Sequence, residues 1–252
     1  MKRNKGKFRI VVTVLLAGML AGLLLSGCTS DTPTTTSPTG VTGNAVFTIS
    51  DAAADVGAVT KAELTVESIQ ARTQAGAWVT VSSQSRTYDL MALRANGTAM
   101  LMAQADMAAG TYDRIRLNAS QCVVTNSQGS YQCVMPSSVF EMEASFEVQT
   151  DTIASINADF LLDESLHVAS DGQYVFAPVV QLEARNNAQV QIQANNQLVI
   201  SGGQVATSAK FGMNIQGQMG VGLGIHMDSI IDISGSGGLS IGGNGNGGNG
   251  GM

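Results

Sequence analysis

From Asn44 onward, apolar and polar residues alternate with a period of two along most of the chain. Residues 140–148 place Phe140, Met142, Ala144, Phe146 and Val148 on one side and Glu141, Glu143, Ser145 and Glu147 on the other. Residues 154–160 repeat the pattern with Ala154, Ile156, Ala158 and Phe160. Such alternation marks strands with one buried face. In residues 61–71 the apolar positions run Ala62, Leu64, Val66 and then Ile69, Ala71, a slip that predicts a β-bulge at Glu67–Ser68. Further strand-like runs occur at 45–50, 77–82, 86–93, 98–105, 112–118, 131–135 and 173–183, separated by Gly, Asn, Asp and Ser turns. Helical periodicity is nearly absent. The pattern predicts an all-β fold in which two antiparallel sheets pack as a sandwich over residues 44–184.

Alternation continues beyond that span. Residues 190–201 read as a hairpin turning at Asn195–Asn196. From Phe211 to Met227 every apolar residue of the alternation shares one parity, a run of about 55 Å if fully extended, so a turn is expected near Gln216–Gly217–Gln218. Residues 185–234 are therefore expected to form a β-rich extension whose apolar face needs a cover: the protein's own sandwich, another subunit through strand addition, or lipid. Ten of the last eighteen residues are Gly, which predicts a flexible tail over 235–252.

At the other end, the apolar run Ile10 to Leu25 follows Lys2, Arg3, Lys5, Lys7 and Arg9, the layout of an export signal over residues 1–27. The run is shorter than the roughly 20 residues a spanning helix needs. It ends in Leu25-Ser26-Gly27-Cys28, which resembles the lipobox of bacterial lipoproteins. That resemblance implies a diacylglycerol thioether on Cys28, a palmitate-type acyl chain on its amino group, and attachment to a membrane without crossing it. Thr29 stands where an Asp would favour inner-membrane retention, so the resemblance implies an outer-membrane lipid anchor. Residues 29–43, rich in Thr, Ser, Pro and Gly, read with Cys28 as a flexible tether.

Loss of the first 27 residues leaves 8 of the 13 Lys and Arg against 19 acidic residues, a net charge of −11. A surface of that sign repels nucleic acid, which requires a basic patch. Cys122 and Cys133 then remain, flanking Asn126-Ser127-Gln128-Gly129, a turn sequence between short apolar runs. A turn centred on residues 127 and 128 sets the two cysteines opposite each other, and an exported protein can keep a disulfide there. A redox-active pair is the other reading, although the spacing is not the two-residue one of such motifs.

Three stretches together carry a family resemblance: FTISDAAADVGAVTKAELTVESIQARTQAGAWVTV from Phe47, AGTYDRIRL from Ala109, and GQYVFAPVVQLEA from Gly172. Over residues 44–184 they resemble the envelope lipoprotein domain catalogued as domain of unknown function 4382. The resemblance implies a prealbumin-like or immunoglobulin-like β-sandwich on a secreted protein, and it implies no activity. Ala53 departs from the proline usual between the two acidic residues, so a looser backbone is expected from Asp51 to Asp55.

Chemistry is sparse. His167 and His226 lie far apart and are expected on the surface. Gly238-Leu239-Ser240-Ile241-Gly242 matches a nucleophile elbow formally, but it sits among glycines without the following helix that the elbow needs. The sequons at Asn96 and Asn118 are idle in a bacterial protein. Asp51, Asp55, Asp159 and Asp163 are candidates for a Ca²⁺ site on loops at one end of the sandwich, or else simply solvated carboxylates. Trp78, Tyr88, Tyr112 and Tyr174 are candidates for a glycan-stacking platform. The expectation is a non-catalytic, lipid-anchored envelope protein with no cofactor. Its candidate partners are the membrane and an envelope protein or polysaccharide.

Overall fold

Residues 40–51 and 56–242 are described by the computed structural model, and strands dominate them. In chain order the strands are β1 (Thr42–Asp51), β2 (Val59–Thr73), β3 (Trp78–Ser82), β4 (Arg86–Asp89), β5 (Ala99–Ala108), β6 (Gly110–Asn126), β7 (Gly129–Gln132), β8 (Val139–Val148) and β9 (Ile153–Phe160). They continue with β10 (Leu166–Val168), β11 (Tyr174–Phe176), β12 (Val179–Asn186), β13 (Gln189–Ile192), β14 (Gln197–Ser201), β15 (Gln204–Met213), β16 (Met219–Val221), β17 (Ile230–Ile233) and β18 (Leu239–Gly242). Two short helices intervene, α1 (Leu90–Asn96) and α2 (Leu162–Ser165).

The strands form the expected sandwich. One sheet has eight strands in the order β13-β14-β5-β1-β9-β12-β15-β16, and the other has six, built on the long antiparallel pair β2 and β6. Each of those two is long enough to hold two partners along its outer edge, β3 and β4 on β2, β7 and β8 on β6. The alternation read in β8 and β9 is realised: Phe140, Met142, Ala144, Phe146 and Val148 face Ala154, Ile156, Ala158 and Phe160 in the buried layer. Aromatic contacts join the sheets, with Phe47 edge-on to Phe146 at 6.3 Å and Phe140 edge-on to Phe160 at 6.4 Å. The bulge also lies where the parity slips, since Val66 pairs with Ala119 and Ser68 with Asn118, leaving Glu67 unmatched.

One strand pair departs from the antiparallel pattern. Strands β1 and β9 run parallel in the middle of the larger sheet, with Thr48 beside Asn157 and Ser50 beside Asp159. A parallel pair needs a long crossover. Here the chain between the two builds all six strands of the other sheet before β9 returns.

Residues 90–93, expected to continue a strand, begin α1 instead. Asp89 accepts a hydrogen bond from the Ala92 amide, Leu90 and Leu93 enter the core, and Gly97 ends the helix in the left-handed conformation at φ 58°. An N-cap aspartate and a C-terminal glycine with seven residues between them were sufficient to stop the strand.

The expected extension is an integral part of the larger sheet. β15 pairs with β12, and β14 with β5, so residues after 185 supply both edges. The turn expected at 216–218 joins β15 to β16, closed by the Asn214 amide on the Gln218 carbonyl at 2.9 Å. Phe211, Met213 and Ile225 are buried in the common core, so the sandwich itself covers this half of the apolar face. Gly212 is required there because a Cβ would collide with the Leu223 carbonyl. The open edge of β8 is closed by side chains from the other sheet: the Thr207 hydroxyl bonds both main-chain groups of Ser145, and Asn186 Oδ1 accepts from the Glu147 amide. Part of the expected tail is also ordered, since residues 239–242 pair with β17.

Candidate binding site

The outward face of the larger sheet has two parts. On β1, β9 and β12 the outward positions are Val46, Thr48 and Ser50, then Ser155, Asn157 and Asp159, then Gln181, Glu183 and Arg185. Alternation alone assigns all of them to solvent. Yet Val46, Thr48 and Ser155 are exposed by only 1%, 0% and 2%. The β13–β14 hairpin covers them. Although β13 is the far edge of the sheet, the Ala188 amide just before it donates to the Ile153 carbonyl on β9 at 2.7 Å, so the edge curls back over the outward face. Leu198 of β14 is buried beneath this roof, apart from the main core.

Between hairpin and sheet lies a cavity of about 550 Å³, within the size range of small-molecule sites. Its floor carries Ser50, Ser155, Asn157, Asp159, Glu183 and Arg185. Leu198, Val199 and Ile200 form an aliphatic wall, and Arg94 and Thr98 close the end next to α1. The floor is held by a hydrogen-bond network. Thr48 donates to Asn157 Oδ1 at 2.8 Å, Ser50 to Asp159 at 2.8 Å, and Asn157 Nδ2 to Ser50 at 3.1 Å. Arg185 Nε closes on Glu183 at 2.6 Å and another of its nitrogens holds the Gly202 carbonyl, which pins the floor to the hairpin. The half-exposed Arg94 guanidinium makes no ion pair among the described residues, and Ser155 is almost wholly buried in the floor.

The acidic residues expected at a Ca²⁺ site do not assemble as one group. Asp51 and Asp159 both line the cavity, Asp51 also accepting from the Leu162 amide at 3.4 Å. Asp163 lines a separate cavity beside Tyr174 and Met227, and Asp55 lies outside the described residues, as do Ala53 and Cys28. Among the described residues no three His, Cys, Asp or Glu side chains gather as a metal cluster.

The expected aromatic platform is likewise dispersed. Tyr88 and Tyr112 are core residues, the latter stacked on Phe146 at 5.2 Å with its hydroxyl on the Ala108 carbonyl. Arg116 covers Trp78 at 3.9 Å, anchored by Glu141 at 2.7 Å, and Tyr174 packs on Tyr131. The alternation that buries Tyr88 and Tyr112 places them on the face opposite Trp78. His167, expected at the surface, is buried on β10, where desolvation holds its pKa below the ordinary value. His226 is exposed. The segment 238–242 is a hairpin strand without the helix a nucleophile elbow requires.

Cys122 and Cys133 are two buried thiols on the β6–β7 hairpin, whose two-residue turn is Ser127–Gln128, with Asn126 Oδ1 accepting from the Gln128 and Gly129 amides. The contact with Cys133, reinforced by burial, pushes the Cys122 thiol well above its usual range. A thiol so protonated is a poor nucleophile.

Residues 42–178, more than half of the chain, match the family described as Domain of unknown function (DUF4382). The chain belongs to this family. No curated protein and no solved structure matches it. The DUF4382 match runs from β1 through β11 and ends just before β12, so it contains β1, β9 and the Arg94 end of the cavity. Glu183, Arg185 and the hairpin roof come from the segment that follows. Sequence reading missed Arg94, Ser155, Asn157 and the roof. The bracket of Asp89 and Gly97 around Leu90 and Leu93 was the signal that could have placed Arg94 on a helix.

Proposed function

We propose that this DUF4382 protein is a lipid-anchored, non-catalytic binding module of the outer cell envelope, tethered through Cys28 and holding a small polar ligand under the β13–β14 hairpin. The observation that carries the reading is the roofed cavity, a preorganised polar floor facing an aliphatic wall, with the Arg94 guanidinium making no ion pair among the described residues. A concave site that sets a few fixed polar groups against an apolar wall is the kind that holds and orients a small molecule. The anchor rests on the lipobox-like Leu25-Ser26-Gly27-Cys28, and the acidic surface suits an exported domain. The Cys122–Cys133 pair, as a disulfide, would staple the β6–β7 hairpin in an oxidising compartment. Ligand-observed NMR of the full-length protein in detergent, against pools of amino acids, saccharides and nucleotides, tests the binding reading. Binding that Ser155→Leu abolishes with the fold intact by circular dichroism supports it, and the absence of binding from every pool contradicts it.

A second reading is favoured by one observation. Val221, Leu223 and Met227 are exposed by 68%, 42% and 60% at the β16 edge, the half of the apolar face that the sandwich leaves open. In that reading the edge joins a second copy in a surface assembly. Val221→Ser with Met227→Ser would then reduce the oligomer seen by light scattering. A wild-type protein that is monomeric at all concentrations removes this reading.

A further inference from the structure

Residues 187–203 are inserted into a hairpin that is complete without them. Asn186 at the end of β12 pairs with Gln204 at the start of β15, so both ends of the insertion leave the sheet from one point. The insertion has its own ladder, from Gln189 opposite Ser201 to Ile192 opposite Leu198, closed by the Gln193 amide on the Gln197 carbonyl at 2.7 Å. It therefore keeps these bonds wherever it lies relative to the sheet. Its stem is made of left-handed residues, Asn187 at φ 53° on one side and Gly202 and Gly203 at φ 63° and 70° on the other. The two sides cross closely, since a Cβ on Gly203 would stand 2.6 Å from the Asn186 carbonyl oxygen.

Main-chain bonds tie the insertion to the rest of the molecule at its two ends. At the stem the Ala188 amide donates to the Ile153 carbonyl at 2.7 Å and Arg185 Nη1 to the Gly202 carbonyl at 3.0 Å. At the tip, roughly 20 Å further along an extended strand, β14 pairs with β5 only at Gln197–Met100 and Leu198–Ala99. Of the side chains between, only Ala188 and Leu198 are buried, and beneath them lie Val46, Thr48, Ser155 and Asn157, mostly polar. Lifting the tip breaks the short pairing with β5, uncovers Leu198 and wets a floor that water solvates readily. The core of Phe47, Ile156 and Leu182 stays closed. Resting on the binding reading above, we propose that the β13–β14 hairpin is a hinged lid. It turns about Asn187 and Gly202–Gly203 and unlatches from β5 to let a ligand into and out of the cavity.

The lid is tested without a ligand. Ser155→Cys places a thiol on the covered floor, and Ala99→Cys with Leu198→Cys allows a disulfide across the latch, between strand partners whose Cα atoms stand about 4.5–5.5 Å apart. The full-length protein in detergent is treated with iodoacetamide, with the latch bonded or reduced, and alkylation at position 155 is followed by peptide mass spectrometry. Bonding the latch is expected to slow alkylation there by about tenfold or more, because the reagent reaches the floor only when the lid is open. Equal rates in the two states overturn the lid. Hydrogen exchange of the unsubstituted protein serves if the variant misfolds by circular dichroism. Amides joining β14 to β5 are expected to exchange about tenfold or more faster than those joining β1 to β9, and equal protection overturns the lid. A lid that opens in a protein binding none of the ligand pools supports the hinge and contradicts the binding reading alone.

Discussion

The main-chain amide of Cys133 donates to the carbonyl of Cys122 at 2.9 Å, so two buried thiols stand opposite each other across the β6–β7 hairpin. This is a hydrogen-bonded pair, for which antiparallel strands hold the Cα atoms about 5.5 Å apart, within the range a disulfide spans. In protein purified from the envelope without reductant we expect the two cysteines to be bonded, with stabilisation of about 2–3 kcal/mol over the reduced form. Alkylation followed by intact mass measurement checks this, and recovery of two alkylated thiols would remove the staple.

Legibility in the sequence followed burial on one side. Phe140, Met142 and Phe146 announce β8 because their neighbours Glu141, Glu143 and Glu147 face water. The bulge at Glu67 was equally visible, because a one-residue slip reverses the parity. The outward row of Ser155 and Asn157 gave no such signal: polar residues opposite a core face look the same whether water or a folded-back hairpin covers them. Asp51 and Asp159 were singled out and do reach the cavity, but Arg94 was hidden in a helix of seven residues, too short for its periodicity to stand out.

Removal of everything after Arg185 now carries a different expectation from that of detaching an appendage. It strips β15 from β12 and takes Phe211 and Met213 out of the core. We expect the truncated protein to lose cooperative thermal unfolding by circular dichroism. The milder Phe211→Ala is expected to cost about 3–5 kcal/mol.

His167 makes stability depend on pH. Its ring bonds to the Glu164 main chain, while Nε2 is buried with no hydrogen-bond partner among the described residues, and desolvation holds the folded pKa below 6.5. The unfolded chain therefore takes up the proton first. Stability is complete above 6.5 and declines as pH falls from there towards the lower folded value. Urea midpoints at about pH 8 and about pH 5.5 should differ in the wild type and differ less in His167→Gln.

Cys28→Ala should leave an unprocessed or mislocalised precursor, because the thiol is the proposed lipid acceptor. Membrane fractions probed for the mature amino terminus check this. Processed, membrane-bound protein from the variant would contradict the anchor.

The most direct test is methyl NMR of the full-length protein in detergent, with Leu, Val and Ile methyls labelled, during titration of the amino-acid, saccharide and nucleotide pools. The account predicts shifts concentrated at Leu198, Val199 and Ile200, the wall of the roofed cavity. Shifts confined to Val221 and Leu223 at the β16 edge, with the hairpin methyls unmoved, would contradict it.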